Sequence, residues 1–305
     1  MLQTVSERIS AGARRAQRAV NQELIVTYWA IGHDILGKQL QEGWGTKVID
    51  RLASDLRVRF PDVRGFSPRN LKYMRTFAAA WPDPAIVQQS VAQLPWGQNI
   101  VLLDKLNDSE IRLWYAKKAV EEGWSRKTLI TQIDSRLFER SGRAITNFKS
   151  TLSLRDSKHS QEATKDPYIF DFLNFADLAT ERDLENQLIE HVERFLLELG
   201  RGFAFVGRQM RLDISGDEVF PDLLFYNFKL RRFVVIELKT GKFEPGYLGQ
   251  LGMCMSAVDD LLAQPDDEPT IGLLMCKSKN KIVAEYALRG FQSPIGVAEW
   301  ATELE

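Results

Sequence analysis

The stretch VFPDLLFYNFKLRRFVVIELK, residues 219–239, decides the architecture of the second half of this chain. Two short runs rich in aromatic and β-branched residues, 219–226 and 233–238, flank turn-forming residues at 227–231. This pattern predicts two antiparallel strands joined by a short turn. Charged residues within such apolar strands are unusual, and they direct attention to Asp222, Glu237 and Lys239.

These three charged residues are predicted to lie at neighbouring strand ends. Alternation along the second strand places Glu237 and Lys239 on one face. Antiparallel pairing across the turn would bring Asp222 opposite Glu237 or close to it. Pro221 cannot donate to a strand ladder, so we expect an irregular sheet beside Asp222. Taken singly, the same residues also fit a surface ion pair and an acid beside a turn.

A third carboxylate, Glu185, lies inside the apolar stripe of a predicted helix over residues 181–199. Thr180 and Asp183 have the spacing of a capping box at its start. The stripe consists of Leu184, Leu188, Ile189, Val192, Phe195, Leu196 and Leu199. At ~100° per residue, Glu185 lies at about 100° in a stripe about 140° wide. An inward carboxylate is costly unless it is paired or metal-bound, so Glu185 is either a partner of a buried arginine or a site residue.

The pattern before residue 140 is that of helices. They are predicted over residues 22–41 and 46–60, from Ser67 with Pro68 at the first helical position, and on either side of Gly123. We therefore predict two domains in an α+β chain. The first, residues 1–140, is all-α and resembles a winged-helix or helix-turn-helix domain. Polar residues 141–166 are predicted as a linker, and residues 167–305 as an α/β domain with a mixed sheet in the order αβββαβ.

Charge is divided unevenly between the two halves. Residues 1–150 hold 23 Lys and Arg against 15 Asp and Glu, a net charge of +8, and residues 151–305 hold 17 against 26, a net charge of -9. A basic half can bind a polyanion, while an acidic half can place carboxylates on a cation. The basic candidates are Arg51, Arg57, Arg69, Lys72 and Arg75. They predict a nucleic-acid-binding surface, with an ordinary solvated helix face as the alternative.

Composition excludes several other classes of protein. The chain has 2 Cys and 3 His, without the spacing of a zinc site or a disulfide framework. Oxygen ligands and a hard cation are therefore expected if a metal ion binds. Residues 1–20 contain no uninterrupted apolar run, so we expect a cytoplasmic protein without a membrane partner. No organic cofactor is expected.

The arrangement of these residues resembles the PD-(D/E)XK nuclease superfamily. Pro221 and Asp222 match the PD element, Glu237, Leu238 and Lys239 match the EXK element, and Glu185 lies upstream as that superfamily requires. The runs LENQLIEHVERFLLELGRGFAFVGRQ and VVIELKTGKFEPGYLGQL are similar to the YhcG-like family. In the first half, LPWGQNIVLLDKL, LWYAKKAVEEGWSRKTLITQI and GFSPRNLKYM are similar to the N-terminal domain of that family.

The resemblance implies a restriction-endonuclease-like domain with a metal centre. Mg²⁺ or Mn²⁺ would be held by Asp222, Glu237 and the carbonyl of Leu238, with Glu185 binding directly or through water. Lys239 would orient or deprotonate the attacking water. Gln250 occupies the position at which related nucleases place a glutamine that faces the site. Cys254 follows where the family pattern often has an aromatic residue, which puts the role of Gln250 in doubt.

The activity that this resemblance implies is metal-dependent endonucleolytic cleavage of DNA, in defence, recombination or repair. Two alternatives remain open: RNA as the substrate, and a weak or inactive nuclease fold that binds DNA or assembles a complex. The intact trio Asp222, Glu237 and Lys239 argues against the inactive form. A homodimer would supply the second site that concerted double-strand cleavage needs.

Overall fold

The computed structural model of the protein describes residues 1–42, 46–174 and 178–303. The chain divides into two compact units, Met1–Asp134 and Ser135–Glu305. In the described part of the chain, no helix combines the length and the apolar character needed to cross a membrane. Each unit has a hydrophobic core of its own.

The first unit is helical, as the sequence predicts. Its elements are α1 Leu2–Glu42, α2 Thr46–Arg59, α3 Pro68–Ala80, α4 Pro84–Gln89, a 3₁₀ turn at Val91–Gln93, α5 Trp96–Lys105, α6 Ser109–Glu122 and α7 Arg126–Asp134. Among the described residues of this unit there is no β-strand. The consecutive helices α2 and α3 pack on each other and are joined by residues 60–67.

Capping residues define several ends of these helices. The Ser67 hydroxyl accepts a hydrogen bond from a backbone N–H in the first turn of α3, and Asp108 caps α6 in the same way. Gly123 ends α6 with a φ of 65°, in the left-handed region. Helix α1, however, begins at Leu2 rather than at the predicted residue 22. Residues 2–20 are mostly exposed, so no buried stripe marked them as helical in the sequence.

Close packing between α1 and α3 depends on Gly32. A Cβ atom at this position would lie 2.0 Å from the carbonyl oxygen of Met74, closer than any side chain could come. The missing side chain therefore lets the two backbones approach, and the core of this unit forms around Tyr28, Ile35 and Leu71.

The second unit contains helices on both sides of a sheet. Its elements are α8 Leu137–Arg140, β1 Ile145–Thr146, α9 Phe148–Thr151, α10 Leu154–Ala163, β2 Tyr168–Ile169, α11 Glu181–Glu190, α12 Val192–Leu199, β3 Phe203–Arg208, β4 Leu212–Ile214, β5 Asp217–Val219, β6 Leu223–Asn227, β7 Arg232–Leu238, α13 Tyr247–Leu261, β8 Ile271–Cys276, α14 Lys281–Leu288 and β9 Ile295–Ala301.

The sheet is mixed, which confirms the predicted class. Its strand order is β1-β9-β8-β7-β6-β3, and β2 pairs with β9 outside this path. Strands β3, β6 and β7 pair antiparallel, whereas β7, β8 and β9 pair parallel. Strands β4 and β5 form a separate hairpin. The parallel crossovers carry α13 and α14, as parallel pairing requires.

Two apolar clusters cover the two faces of this sheet. One contains Leu184 and Phe195 from α11 and α12, packed on strand residues such as Ile236. The other contains Leu251 from α13, packed on the opposite face with Val235. Successive residues of β7 therefore serve different cores, and residues near its end alternate between the two faces in the same way.

The segment predicted as a linker, residues 141–166, belongs to the second unit instead. Strand β1 pairs with β9, and α9 and α10 follow. The side-chain amide of Gln161 donates to the carbonyl oxygens of Gly142 and Ala144, and Asn147 donates to those of Phe291 and Ser293. The polar residues that suggested a solvated linker are thus the partners of backbone groups, which sequence alone does not distinguish.

Two further differences concern regular elements. The helix predicted over residues 181–199 is divided at His191 into α11 and α12. Strand β9 follows the helix near the C-terminus and was not predicted. It is a fully apolar run at its start, Ile295 to Ala298, and such runs lack the alternation that identifies half-buried strands.

Candidate active site

The ends of β6 and β7 bring Asp222 and Glu237 to neighbouring positions. Leu223, the first residue of β6, pairs with Ile236, so Asp222 and Glu237 are the chain neighbours of the last residue pair of the two strands. A carboxylate oxygen of Asp222, Oδ2, accepts a hydrogen bond of 2.8 Å from the backbone N–H of Leu238. This bond fixes the Asp222 side chain against the end of β7.

Glu185 reaches the same end of the sheet from α11. Its side chain is buried, with 5% exposure, as the helical stripe predicted. The amide nitrogen of Gln209 donates to Oε2 of Glu185 at 2.8 Å and to Oδ1 of Asp222 at 2.9 Å. One amide group therefore links two of the predicted site carboxylates. Arg208 lies 3.9 Å from the other oxygen of Glu185.

Lys239 lies directly after β7 and is buried. Its ammonium nitrogen is 3.1 Å from Oε1 of Glu237 and 3.1 Å from Oε2 of Glu181. The same nitrogen lies 5.2 Å from the ring centroid of Tyr247, at the start of α13. The Lys239 carbonyl accepts a hydrogen bond from the indole N–H of Trp300. The lysine is thus held by backbone and side chain beside the acidic cluster.

The sequence did not single out Glu181, Gln209 or Tyr247. Glu181 lies in the first turn of α11, where acidic residues are common for reasons of the helix dipole alone. Gln209 lies between strands and has a φ of 45°, a left-handed conformation that no sequence pattern marks. The run ending in Arg208 and Gln209 that resembles the YhcG-like family was the available hint.

Electrostatics of the cluster favour a cation. Burial raises the pKa of Glu237 to about 7, and the nearby Asp222 adds to that rise. Burial also raises the pKa of Asp222, against the lowering effect of the Leu238 N–H. In the described part of the chain, Oε2 of Glu237 is buried without a hydrogen-bond partner. Two mutually repelling carboxylates, one of which has a buried oxygen without a hydrogen-bond partner in that part of the chain, have the donor chemistry of a hard-cation site.

The direction of the Lys239 pKa differs from the expectation that burial would ease its deprotonation. Burial does lower the pKa of the lysine, but Glu237 and Glu181 raise it by more, so the net direction is upward. Lys239 is therefore an ammonium ion in this arrangement. It is suited to orienting a water or stabilising phosphate charge, and less suited to removing a proton.

The side chains of this cluster fit a metal ion by the type of their donor atoms. Across residues 1–42, 46–174 and 178–303, no group of three or more His, Cys, Asp or Glu side chains is already arranged to hold a metal ion. Asp222 and Glu237 supply oxygen donors at adjacent strand ends. Glu185 and Asp222 both accept a hydrogen bond from the side-chain amide of Gln209. A role for the Leu238 carbonyl as a ligand stays a prediction.

Helix α13 carries Cys254, whose thiol lies within the electrostatic influence of the cluster. Burial raises the pKa of this thiol to about 11, and the charges of Glu237 and Asp222 contribute to the rise. The buried thiol is therefore protonated and is a poor nucleophile. Gln250, one turn earlier, is exposed, and its predicted role at the site stays a prediction.

The predicted nucleic-acid-binding residues all lie in the first unit. Arg51, Arg57, Arg69 and Lys72 are exposed on α2 and α3. Arg75 is half-buried, and its guanidinium lies 3.5 Å from the side-chain oxygen of Gln39. The four exposed side chains can be reached by phosphates, and Arg69 and Arg75 also have partners within the unit.

We expect the metal-free protein to lose stability as the pH rises from about 5 to about 7. The Glu237 carboxyl has an ordinary pKa of 4.5 and a folded pKa of about 7. Between these values the folded state holds a proton that the unfolded state has released, so raising the pH removes up to about 3 kcal/mol of stability. Denaturant unfolding at several pH values measures this slope. Glu237→Gln should flatten it, and an equally steep slope in that variant would assign the effect to other groups.

Comparisons with known proteins identify similar sequences and one similar structure. Residues 161–305 match a family model described as the YhcG PDDEXK nuclease domain, and residues 4–140 match one described as the DUF1016 N-terminal domain. The Escherichia coli (strain K12) protein "Putative nuclease YhcG" is 32% identical over 325 residues, covering 94% of this chain and 85% of that protein. The crystal structure of a repair endonuclease from Pyrococcus abyssi is 19% identical, with a TM-score of 0.28, and covers 41% of this chain and 47% of that chain.

Proposed function

Because the chain belongs to the YhcG family, whose C-terminal domain is a PDDEXK nuclease domain, we propose that it is a metal-dependent endonuclease that cleaves DNA. The observation that carries the proposal is the buried lysine at the strand end. Lys239 contacts Glu237, and Asp222 accepts a hydrogen bond from the N–H of Leu238, the residue between them. Burying an ion pair costs the desolvation of both charges, and a strand end that keeps such a pair beside a second carboxylate is a candidate catalytic site.

Asp222 and Glu237 would hold the divalent cation, with Glu185 completing the ligand set directly or through water. Mg²⁺ or Mn²⁺ at this place would supply charge relief on the phosphoryl oxygens and lower the pKa of a bound water. The protein's own contribution is positioning. Asp222 is held by the Leu238 N–H and by Gln209. Oε2 of Glu237 is buried without a hydrogen-bond partner among the described residues and can therefore bind the cation.

Lys239 would place its ammonium group beside the scissile phosphate. As a protonated group it can donate hydrogen bonds to the attacking water and to a phosphate oxygen, and its charge offsets the negative charge that develops there. The contact with Glu181 holds the amine at the end of the strand. Removal of the water proton then falls to a neighbouring base or to a second water.

A metal-titrated digestion tests the function. Full-length protein would be incubated with supercoiled, linear, branched and single-stranded DNA, and with RNA of matched sequence, over a range of Mg²⁺ and Mn²⁺ concentrations. We expect DNA cleavage that requires the metal and stops with chelator. RNA cleavage alone would reassign the substrate. Absence of cleavage with every metal and substrate, together with retained DNA binding, would instead support a DNA-binding or complex-assembly module.

The exposed basic residues of α2 and α3 are proposed to hold the DNA backbone. Lys72→Ala in the full-length protein should weaken binding about equally for different DNA sequences. Loss of one phosphate contact should also reduce the slope of log affinity against log salt by about 1. Fluorescence anisotropy at several salt concentrations measures both quantities. Lys127→Ala removes an exposed lysine from α7 and is the matched control.

An unchanged slope in the Lys72 variant would mean that the DNA-binding surface lies elsewhere.

The number of chains in the active form is a separate proposal. A homodimer would provide two sites for cleavage of both strands, and sedimentation of the protein with and without DNA would measure it.

A further inference from the structure

Gln209 occupies an unusual place at the site. Its backbone has a φ of 45°, in the left-handed region that is strained for a side chain such as glutamine. Its backbone N–H donates to the carbonyl oxygen of Asp222 at 3.1 Å. The same residue therefore contacts Asp222 twice, through its backbone and through its side chain. The strained conformation turns the side chain toward the acidic cluster.

The chain just before Gln209 is shaped for this turn. The pairing of β3 with β6 shifts register between Phe205 and Gly207, as at a β-bulge. A Cβ atom at Gly207 would lie 2.8 Å from the sulfur of Met210. The irregular end of β3 thus gives Gln209 its direction, because bulges commonly re-aim a side chain beside an active site.

The contacts of Gln209 are suited to holding two like charges together. A primary amide has two N–H groups, and here the nitrogen lies 2.8 Å from Glu185 and 2.9 Å from Asp222. Each hydrogen bond holds a carboxylate oxygen beside the same amide nitrogen. The amide is neutral, so it draws the two acids together without supplying the positive charge that would compete with a metal ion. A lysine or arginine at this place would form a salt bridge and fill the site.

We propose that Gln209 is a positioning residue that keeps Glu185 and Asp222 convergent for a divalent cation. The inference rests on the proposed metal-dependent function and assigns a role to a residue outside the PD and EXK elements. The second oxygen of Glu185 lies 3.9 Å from Arg208, which also donates to Asn186 on α11. Both Arg208 and Gln209 therefore connect the end of β3 to α11.

The test uses the left-handed backbone to separate positioning from folding. Gln209→Gly removes the amide and relieves the strained φ, so the metal-free variant should unfold at the same or a higher denaturant midpoint than the wild type. Its affinity for Mn²⁺, measured by calorimetry and by the electron paramagnetic resonance signal of free Mn²⁺, should fall by roughly tenfold or more. If Gln209 served only the fold, the glycine variant would lose stability and keep the wild-type affinity for Mn²⁺.

Ser215→Gly is the matched control. Ser215 has a φ of 56° in the turn between β4 and β5, so its replacement by glycine relieves similar strain. This variant should match the wild type in Mn²⁺ affinity while gaining stability. Equal or tighter Mn²⁺ binding by Gln209→Gly would overturn the inference, because the amide would then be a placeholder that the metal displaces.

The outcomes also separate this inference from the function on which it rests. Wild-type protein that binds Mn²⁺ but cleaves no nucleic acid would overturn the nuclease proposal, and the two affinities would still decide the role of Gln209. Wild-type protein that binds no Mn²⁺ would overturn both. Weaker Mn²⁺ binding by the glycine variant, with its stability retained, would support the positioning role.

Discussion

Lys239→Ala should reduce DNA cleavage by at least about a hundredfold at every metal concentration. The loss follows because the ammonium group is the buried positive charge beside Glu237, and positioned hydrogen-bond donors of this kind contribute about 10²- to 10³-fold to rate. A metal ion cannot replace the missing hydrogen-bond donor, so added Mn²⁺ should not restore the rate. Single-turnover cleavage with saturating protein measures the effect without a contribution from DNA affinity.

Stability needs its own control in this experiment, because the lysine is also part of the fold. Removing it leaves Glu237 buried beside Asp222, and the cost of breaking a buried pair is about 3–5 kcal/mol when the remaining charge persists. Lys239 lowers the pKa of Glu237, so in the variant that pKa lies above its wild-type value, and protonation of Glu237 should make the loss of stability shrink as the pH falls. The double variant Lys239→Ala with Glu237→Gln should recover stability and stay inactive.

A second control addresses charge in general. Lys242 is exposed three residues further along the chain, and Lys242→Ala removes one positive charge without touching the acidic cluster. It should cleave DNA at a rate close to that of the wild type. Wild-type rates in Lys239→Ala would remove the catalytic assignment of the EXK lysine in this chain.

The predictable parts of the site were those in which periodicity and chemistry agree. Glu185 was placed inward by its angle in the stripe of α11, and it is buried there. Asp222 was placed opposite Glu237 or near it by strand alternation, and its carboxylate accepts a hydrogen bond from the N–H of Leu238, next to Glu237. In both cases a regular element converts a sequence interval into a direction in space, so a charged residue on an apolar face is recognisable from the sequence alone.

The unpredicted parts depend on irregular backbone or on contacts between distant segments. Gln209 reaches the cluster through a bulge and a left-handed turn, for which the sequence has no periodic signature. The upward direction of the Lys239 pKa depends on two carboxylates, one from β7 and one, Glu181, from α11. Burial alone suggested the opposite direction. The number of charges around a buried group is a property of the fold, so sequence intervals could not decide it.

The domain boundary shows the same limit on a larger scale. Residues 141–166 have the composition of a linker, yet Arg140 just before them donates to the Pro167 carbonyl oxygen and pairs with the buried Glu198. Those partners are tens of residues away in sequence. A polar segment is solvated or structural according to whether its groups find buried partners, and only the tertiary structure contains that information.

Asp222→Asn should impair cleavage through the metal rather than through the lysine. The Asp222 carboxylate accepts from Leu238 with one oxygen and from Gln209 with the other, so either orientation of an asparagine amide points an NH₂ group at a donor. We expect a loss of stability of about 1–3 kcal/mol and a weaker, less negative cation site.

The metal dependence then distinguishes Asp222 from Lys239. The half-saturating metal concentration for cleavage should rise in Asp222→Asn by roughly tenfold or more, because a ligand charge is lost while a carbonyl oxygen remains. High Mn²⁺ should recover part of the rate, since Mn²⁺ binds such sites more tightly than Mg²⁺. Lys239→Ala should show no such recovery. Cleavage rate against Mg²⁺ and Mn²⁺ for both variants measures this contrast, with unfolding midpoints as controls. A wild-type metal dependence in Asp222→Asn would place the cation away from the ends of β6 and β7, because removing a direct ligand cannot leave the affinity unchanged.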